Sequence, residues 1–235
     1  MVDFIFMLTR QDQTILDCLD VLHSIRNAGL RHVGFKDVGV DRETLRRLND
    51  AIKETGAVSY MEVVSTSDED CLKSAHNAVS VGVDRLLGGT NVAPILKTLE
   101  GSGIEYLPFP GRPEGHPTKL GGTPESVAED CRRLTSLGCA GVDLLAYRAT
   151  EADPLDLIRS ARGALAGQLV VAGSIDSPER IRAVAEAGAD AFTIGTAALE
   201  GAFSPRKGGL RAQLDDILAA CEDAGEAVPV RTARQ

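Results

Sequence analysis

The stretch Gly-Ala-Asp-Ala-Phe-Thr-Ile-Gly-Thr at residues 188–196 shares the pattern G-x-D-x-x-x-x-G-T with Gly-Val-Asp-Arg-Leu-Leu-Gly-Gly-Thr at residues 82–90. The two copies begin nearly half of the 235-residue chain apart. In each copy a short apolar strand ends in Gly-Thr, and a helix follows at once. Glycine lets a ligand approach the backbone and a helix start offers free N–H groups, so the pattern is typical of anion sites. Its recurrence predicts a barrel built from two similar half-barrels.

Short apolar runs alternate with amphipathic stretches along the rest of the chain. Strands that alternate with helices imply a parallel sheet with right-handed crossovers. The pattern predicts eight such strands: Phe4–Leu8, His32–Phe35, Val58–Val64, Val83–Leu87, Ile104–Leu107, Gly141–Ala146, Leu169–Ala172 and Ala191–Ile194.

The helix boundaries have signals of their own. Asp41, Thr123, Asp153 and Ser177 are predicted N-caps, and a proline follows each of the last three at the first helical position. Left-handed C-caps are predicted at the glycines that end the amphipathic stretches. These glycines are Gly29, Gly56, Gly82, Gly103, Gly138, Gly167, Gly188 and Gly225.

Eight strand–helix units in a chain of this length favour a single α/β domain over residues 1–235, folded as a (βα)8 TIM barrel. The alternative is an open doubly wound sheet, which usually has a glycine-rich turn after its first strand. Here that turn reads Thr9-Arg10-Gln11-Asp12 and contains no glycine. In a barrel, the chemistry is expected in the loops that follow the strands.

Composition limits the classes of partner. A net charge of −9, 4% aromatic residues and no tryptophan argue against nucleic acid and against an anionic membrane. There is no apolar run long enough for a transmembrane helix, and the N-terminus reads as a strand. Five cysteines without C-x-x-C spacing indicate reduced thiols and a cytoplasmic location. We expect no metal and no organic or redox cofactor, and leave a homo-oligomer possible.

One loop after a strand is long, whereas the other seven look short. Residues 109–122 follow the fifth strand and contain three prolines, four glycines and four ionisable side chains. Long loops in compact domains are usually functional or disordered. We predict an active-site lid in which Arg112, His116 and Lys119 approach the ligand, with a mobile surface loop as the alternative.

The ends of the seventh and eighth strands predict a phosphate site. Gly173-Ser174 and Gly195-Thr196-Ala197 lie where many barrels hold a phosphate with backbone N–H groups and a short extra helix. The alternative is that these glycines only permit tight turns. The first-half copy, Gly89-Thr90, is a weaker candidate for a second phosphate.

Residues 168–203 also resemble a known family. The Gly-Ser-Ile turn at residues 173–175, the Ile-Gly-Thr-Ala strand end at residues 194–197 and the continuation Ala-Leu-Glu-Gly-Ala-Phe resemble the C-terminal quarter of the histidine-biosynthesis isomerase and cyclase barrels. The resemblance implies a ribulose-phosphate-binding barrel that acts on a phosphorylated ligand. Both enzymes of the pair place a catalytic aspartate at the ends of strands one and five, and this chain has none at either position.

Four residues at strand ends are the candidate catalytic groups. Val33 and Phe35 are expected to face the helices, so alternation along the strand directs Lys36 inward, and the same count directs Glu62 inward on the next strand. An ionisable pair in the barrel mouth suits proton transfer or Schiff-base chemistry, although it is also compatible with a structural ion pair. After strand six, Tyr147 is a possible proton donor and Arg148 a possible anion clamp. Arg10 and Asp12, after strand one, are weaker candidates.

These patterns predict an enzyme that acts on a small phosphorylated metabolite. The expected chemistry is proton transfer next to a carbonyl, in an isomerase, an epimerase or a lyase. One alternative is an aldolase or synthase that uses Lys36 as a Schiff-base nucleophile. Another is a barrel that binds a phosphometabolite without catalysis.

Overall fold

The computed structural model of the chain describes residues 2–115 and 117–227 and contains an eight-stranded parallel sheet. The strands are β1 Asp3–Met7, β2 His32–Lys36, β3 Val58–Val63, β4 Arg85–Gly88, β5 Glu105–Leu107, β6 Gly141–Leu144, β7 Gln168–Val171 and β8 Ala191–Ile194. The order around the sheet is β6-β7-β8-β1-β2-β3-β4-β5.

The sheet closes on itself, as predicted. Strand β1 pairs in parallel with β8, so that Asp3–Phe6 lies opposite Ala191–Ile194. At the remaining edge, the N–H of Asp143 in β6 donates to the carbonyl oxygen of Pro108 after β5 at 3.0 Å. The chain is therefore a (βα)8 TIM barrel, and the doubly wound alternative is wrong.

Helices follow the strands and surround the barrel. The four predicted N-caps are confirmed, because each side chain accepts a hydrogen bond from a backbone N–H of its helix. No helix among the described residues is both long enough and apolar enough to cross a membrane. The helices are α1 Cys18–Ile25, α2 Arg42–Glu54, α3 Asp68–Val81, α4 Val92–Leu99, α5 Pro124–Ser136, α6 Pro154–Ala164, α7 Pro178–Ala187, α8 Thr196–Leu199 and α9 Leu210–Ala227.

Four of the glycines predicted as C-caps do not cap a helix. Gly29 and Gly103 lie three residues beyond the C-caps of α1 and α4, whereas Gly167 and Gly225 have different roles. Gly82 and Gly188 do end α3 and α7 in the left-handed conformation. Gly167 does not have a positive φ; a β-carbon there would come within 2.2 Å of the carbonyl oxygen of Ala140, so close backbone contact requires the glycine. Gly225 lies inside α9, which continues because its buried face extends to Ala224.

Two of the loops after strands contain a β-hairpin. The first hairpin pairs Thr9–Arg10 with Gln13–Thr14, and the second pairs Arg112–Glu114 with Lys119–Gly121. The loop after β1 was predicted to be short, and that prediction is wrong. Its polar residues form a hairpin instead, in which a two-residue turn at Gln11 and Asp12 returns the chain towards the barrel mouth.

Apolar side chains fill the lower part of the barrel. Ile5, Met7, Tyr60, Leu87 and Leu107 belong to an interior cluster, whereas the alternate residues of the strands pack against the helices. Such filling is the usual interior of an eight-stranded barrel. The open space is thereby left at the carboxyl ends of the strands.

The aspartate of the repeated motif joins neighbouring strands at the opposite, amino-terminal end. In the first half, the Asp84 carboxylate accepts a hydrogen bond from the N–H of Ser59 at 2.8 Å and pairs with Lys53 at 2.9 Å. It therefore joins the start of β4 to the start of β3 and to the preceding helix, α2.

The second half has the same arrangement. The Asp190 carboxylate accepts a hydrogen bond from the N–H of Leu169 at 2.8 Å and pairs with Arg162 at 2.7 Å. The start of β8 is thus joined to β7 and to α6, four strands further around the barrel. The repeat consequently corresponds to equivalent positions in two half-barrels.

We expect Asp84→Ala and Asp190→Ala each to lower the free energy of unfolding by about 1–3 kcal/mol, because each leaves a backbone N–H without its charged acceptor. Urea unfolding measures the loss. Asp215→Ala is the matched control. Among the described residues Asp215 pairs with Arg211 alone, on the surface of α9, so we expect a change of less than about 0.5 kcal/mol. If all three variants lost the same free energy of unfolding, the conclusion that Asp84 and Asp190 join neighbouring strands would be contradicted.

Candidate active site

A cavity of about 350 Å³ opens at the carboxyl ends of the strands. Side chains from the ends of β2, β3 and β6 line one side of it. The backbone that follows β7 and β8 lines the other side. The cavity therefore has a charged half, which contains Lys36 and Glu62, and a backbone half, which contains Gly173 and Gly195.

The ammonium group of Lys36 lies between two carboxylates in the charged half. Its Nζ is 2.7 Å from Oδ1 of Asp12 and 3.1 Å from Oε1 of Glu62. Lys36 is directly opposite Glu62 in the pairing of β2 with β3, as the alternation predicted. Both side chains are more than nine-tenths buried, so little solvent screens the three charges.

The first hairpin brings Asp12 to this place. The Thr14 hydroxyl donates to the carbonyl oxygen of Lys36 at 2.7 Å and accepts from its N–H at 2.8 Å, which ties the hairpin to the end of β2. Gln11 and Asp12 form the turn with positive φ values of 50° and 59°. Both central residues of a type I′ turn have positive φ, and this tight turn directs the Asp12 carboxylate at Lys36.

Arg148 completes the charged half, and Tyr147 lies elsewhere. The Arg148 guanidinium is 3.1 Å from Oδ1 of Asp12. A β-carbon at Gly173 would come within 2.5 Å of Arg148 Nε, so the glycine makes room for the guanidinium. Tyr147 lies outside the cavity lining, with its ring 4.9 Å from the guanidinium carbon of Arg180.

The close packing of these charges shifts two pKa values. Burial opposes the ionisation of Asp12, but Lys36 and Arg148 outweigh it and lower the pKa of the carboxyl to about 2. Burial alone would lower the pKa of Lys36, whereas the charges of Glu62 and Asp12 together raise it above its ordinary value. Lys36 is therefore an ammonium ion at neutral pH.

The backbone half of the cavity offers unused hydrogen-bond donors. The N–H groups of Gly173, Ser174, Thr196 and Ala197 donate to no acceptor within the described residues. Gly173 and Ser174 both have positive φ, at 82° and 58°, which is uncommon for serine. All four residues line the cavity, at the place where the sequence predicts a phosphate.

Gly195 joins the two halves of the cavity. A β-carbon at Gly195 would come within 2.7 Å of the Thr9 hydroxyl and 2.9 Å of the Met7 carbonyl oxygen. The end of β8 thus packs directly on the strand that leads into the first hairpin. The glycine is required for this contact, independently of any ligand.

Two acidic side chains at the rim are paired with arginines. Asp176 is 3.1 Å from Arg180, and Glu200 is 3.5 Å from Arg10. Their charges are therefore partly balanced beside the unused N–H groups. Among residues 2–115 and 117–227, no group of three or more His, Cys, Asp or Glu side chains is arranged to hold a metal ion.

The first-half copy of the motif lies away from the cavity. In the first-half motif, Gly89 packs near Ile95 and Tyr106, and the Thr90 hydroxyl donates to the Thr66 carbonyl oxygen at 3.4 Å. Neither Gly89 nor Thr90 lines the cavity described here. The structure therefore brings only the second-half copy of Gly-Thr together with the charged residues.

The loop predicted as a lid is the second hairpin, and it touches the site through its backbone. Arg112 is exposed and pairs with Glu114 and Glu151 at 2.6 Å, and Lys119 is exposed as well. The Thr118 carbonyl oxygen, however, accepts a hydrogen bond from Arg148 at 3.4 Å. His116 lies outside the described residues.

Two residues of the site were not among the four candidate catalytic groups predicted from the sequence. Asp12 was only a weak candidate, because nothing in the pattern placed the hairpin over the barrel mouth. Asp143 in β6 was overlooked, although the same alternation applies to it: Val142 and Leu144 pack towards the helices, which directs Asp143 inward.

Comparison with known proteins finds similarity of fold only. No protein-family model matches the chain, and no curated protein matches it in sequence. Among solved structures, it is similar to a designed cube-shaped protein cage, with a TM-score of 0.67 and 13% identity over 96% of this chain and 74% of that one.

Two natural enzymes are similar to the same extent. Orotidine 5′-phosphate decarboxylase from Pyrococcus horikoshii OT3 has a TM-score of 0.65 and 13% identity over 93% of this chain and 99% of that one. Thiamine phosphate pyrophosphorylase from Pyrococcus furiosus has a TM-score of 0.63 and 13% identity over 95% and 96%. These similarities show the TIM-barrel fold, and they do not show the resemblance to the histidine-biosynthesis barrels.

The lowered pKa of Asp12 predicts how the unfolding free energy depends on pH in the acid range. Stability gained from a carboxylate with a lowered pKa is present above its unfolded value, about 3.9, and is lost as the pH falls towards its folded value. We expect the unfolding free energy of the wild type to fall more steeply than that of Asp12→Asn between about pH 4 and pH 2. Urea unfolding at several pH values measures both slopes. Asp215→Asn is the control and should keep the wild-type slope. Equal slopes for the wild type and Asp12→Asn would show that the Asp12 carboxylate does not have a lowered pKa in the folded protein.

Proposed function

We propose that this chain is an enzyme that transfers a proton next to the carbonyl group of a small phosphorylated metabolite. The observation that carries the proposal is that Lys36 and Glu62 line the same cavity as the unused backbone donors after β7 and β8. A substrate with a phosphate at one end and a carbonyl at the other would fit both halves.

The backbone half suits a phosphate group. Four residues from two neighbouring loops line the cavity and have unused N–H groups, and backbone donors in these two loops bind phosphate in many barrels. Orotidine 5′-phosphate decarboxylase and thiamine phosphate pyrophosphorylase, which share the fold, have names that include a phosphate compound. This agreement in fold supports a phosphorylated ligand.

In the charged half, Glu62 is the proposed base. Its Oε1 accepts from Lys36 at 3.1 Å, whereas Oε2 accepts no hydrogen bond from any described residue. An ionised carboxylate with one free oxygen can remove a proton from the carbon beside a carbonyl and return it to the same or a neighbouring carbon. Isomerases, epimerases and many lyases begin with this step.

Lys36 is the proposed electrophile. As an ammonium ion it stabilises the negative charge that develops on the carbonyl oxygen when the proton leaves, and Arg148 adds a second cation nearby. A Schiff-base aldolase would instead need Lys36 as a free amine, and the pair of carboxylates opposes loss of its proton. The geometry thus favours acid–base chemistry over the Schiff-base alternative.

Solvent exchange tests the proposed chemistry without knowledge of the product. The protein is incubated in D₂O with a panel of ketose and aldose phosphates of three to six carbons, and ¹H NMR follows loss of the proton beside each carbonyl. We expect exchange with at least one compound, slowed about 100-fold or more in Lys36→Met and Glu62→Gln. Lys97→Met and Glu100→Gln, on the exposed surface of α4 and its end, should exchange at the wild-type rate.

Three other results would separate the proposal from its alternatives. Full activity in Lys36→Met would make the ion pair a structural feature and would refute the proposal. Covalent trapping of a substrate on Lys36 by borohydride would favour the aldolase. Binding of a sugar phosphate without any exchange, in every member of the panel, would favour a barrel that binds without catalysis.

Phosphate binding is tested separately at Ala197, because a side chain at Gly195 would displace Thr9. Ala197→Asp places a carboxylate beside the backbone donors, and like charges brought together at a binding site cost several kcal/mol. We therefore expect its affinity for inorganic phosphate to fall by more than about 100-fold. Ala197→Ser is the neutral control and should bind as the wild type does. Calorimetry measures both, and unchanged affinity in Ala197→Asp would place the phosphate elsewhere.

A further inference from the structure

Two buried threonines form part of the wall between the two halves of the cavity. Thr9 follows β1, Thr193 lies in β8, and both residues line the cavity. Each of them is only 6% exposed. Neither the proposed proton transfer nor the proposed phosphate site uses their hydroxyl groups, so these two groups are free for another role.

The order of the strands puts the threonines between the phosphate site and the charged half. β8 and β1 lie between β7 and β2 in the sheet. A β-carbon at Gly195, at the end of β8, would lie 2.7 Å from the Thr9 hydroxyl oxygen. Thr9 in turn pairs with Thr14, whose hydroxyl bonds to the backbone of Lys36. A ligand that extends from Gly195 to Lys36 therefore passes the strands that carry Thr9 and Thr193.

Both hydroxyl groups are without hydrogen-bond partners in the described part of the chain. The hydroxyl of Thr14, the buried threonine that pairs with Thr9, donates to the Lys36 carbonyl oxygen at 2.7 Å, whereas Thr9 and Thr193 have no such contact within residues 2–115 and 117–227. Their oxygens also differ from the unpartnered Tyr106 hydroxyl, which is sealed from solvent. Since Thr9 and Thr193 line the cavity, a partner can reach their oxygens from there.

Packing alone does not explain a threonine at position 193. Its neighbours in the barrel interior are apolar: Thr193 is opposite Ile5 of β1, and Ala191 precedes it on the same face of β8. Valine has the same shape and is equally suited to strands, and it would fill this position without a polar group that needs a partner. The hydroxyl group itself therefore indicates a polar ligand.

We propose that Thr9 and Thr193 are specificity-determining residues that bind hydroxyl groups on the carbon atoms between the phosphate and the carbonyl of the substrate. The proposal rests on the function proposed above and narrows it, because the preferred substrate is then hydroxylated along this stretch rather than deoxygenated. A threonine hydroxyl donates one hydrogen bond and accepts two, so it pairs with a sugar hydroxyl in either sense. A deoxygenated ligand would leave both threonines without partners in the occupied cavity, which weakens binding.

Unreactive ligands test this recognition without any need for turnover. Ribitol 5-phosphate, arabinitol 5-phosphate, glucitol 6-phosphate and mannitol 6-phosphate have the phosphate and the hydroxyl groups but no carbonyl. Pentyl phosphate and hexyl phosphate have the same chain lengths and no hydroxyl groups. We expect calorimetry to show that at least one alditol phosphate binds about tenfold or more tightly than the alkyl phosphate of equal length.

Four variants assign this preference to the two threonines. Thr9→Val and Thr193→Val each remove one hydroxyl and keep the side-chain shape, so each should lower the preference for the alditol phosphate by about tenfold. Thr9→Ser and Thr193→Ser keep the hydroxyl and should keep the preference.

Thr135→Val is the matched control, because the Thr135 hydroxyl donates to the Cys131 carbonyl oxygen at 2.8 Å within α5 and does not line the cavity. It should bind every ligand as the wild type does. Circular dichroism and urea unfolding establish that each variant folds, and Thr9→Ala or Thr193→Ala replaces a valine variant that does not.

Inorganic phosphate separates hydroxyl recognition from phosphate binding. Both valine variants should bind it as the wild type does, because the proposed phosphate donors are backbone N–H groups. An equal loss of affinity for inorganic phosphate in Thr9→Val would assign that hydroxyl to the phosphate and overturn the role proposed for Thr9. An unchanged preference in both valine variants, or a wild type that binds alditol and alkyl phosphates equally, would overturn the whole proposal.

The result is independent of whether the chain catalyses proton transfer. If the valine variants lose the preference and no sugar phosphate exchanges its proton in D₂O, the recognition stands and the proposed catalysis fails. If exchange occurs and the valine variants keep the preference, the catalysis stands and the recognition by Thr9 and Thr193 fails.

Discussion

The buried ammonium of Lys36 is the constraint on which the rest of the site depends. A cation that is only 5% exposed at the top of an apolar barrel interior needs anions within hydrogen-bond distance. Glu62 provides one from the neighbouring strand, and Asp12 provides the other from a hairpin that Thr14 ties to Lys36 itself. Arg148 then offsets the second carboxylate, so the cluster is neutral as a whole.

The barrel and one half of this cluster were predictable from the sequence because they depend on local rules. Helix caps and apolar runs identified all eight strands, and two-residue alternation placed Lys36 and Glu62 inward on adjacent strands. Asp12 could not be placed in this way. Its position follows from a turn in which Gln11 and Asp12 both have positive φ, and neither residue type signals that conformation as glycine would.

The repeated motif predicts two similar sites, but the two copies share only part of their structural role. Its aspartates, Asp84 and Asp190, have equivalent contacts in both halves. Its Gly-Thr ends differ, because only Gly195-Thr196 reaches the cavity, whereas Gly89 packs beneath α4 against Ile95. A sequence pattern reports the shared strand-to-helix turn, but the open space beside that turn depends on side chains from other parts of the chain.

The contact of Gly195 with Thr9 has a mechanical consequence. The backbone that would hold a phosphate rests on the chain segment that leads, three residues later, to Asp12. If a ligand anchored at the end of β8 displaced that strand, Thr9 would have to move with it, and the hairpin that holds the counter-ion of Lys36 follows Thr9 directly. Enzymes use the binding energy of the non-reacting parts of a substrate to promote changes at the reacting atoms. In this barrel such a linkage would run through the packing of Gly195 on Met7 and Thr9, where glycine is the residue that fits.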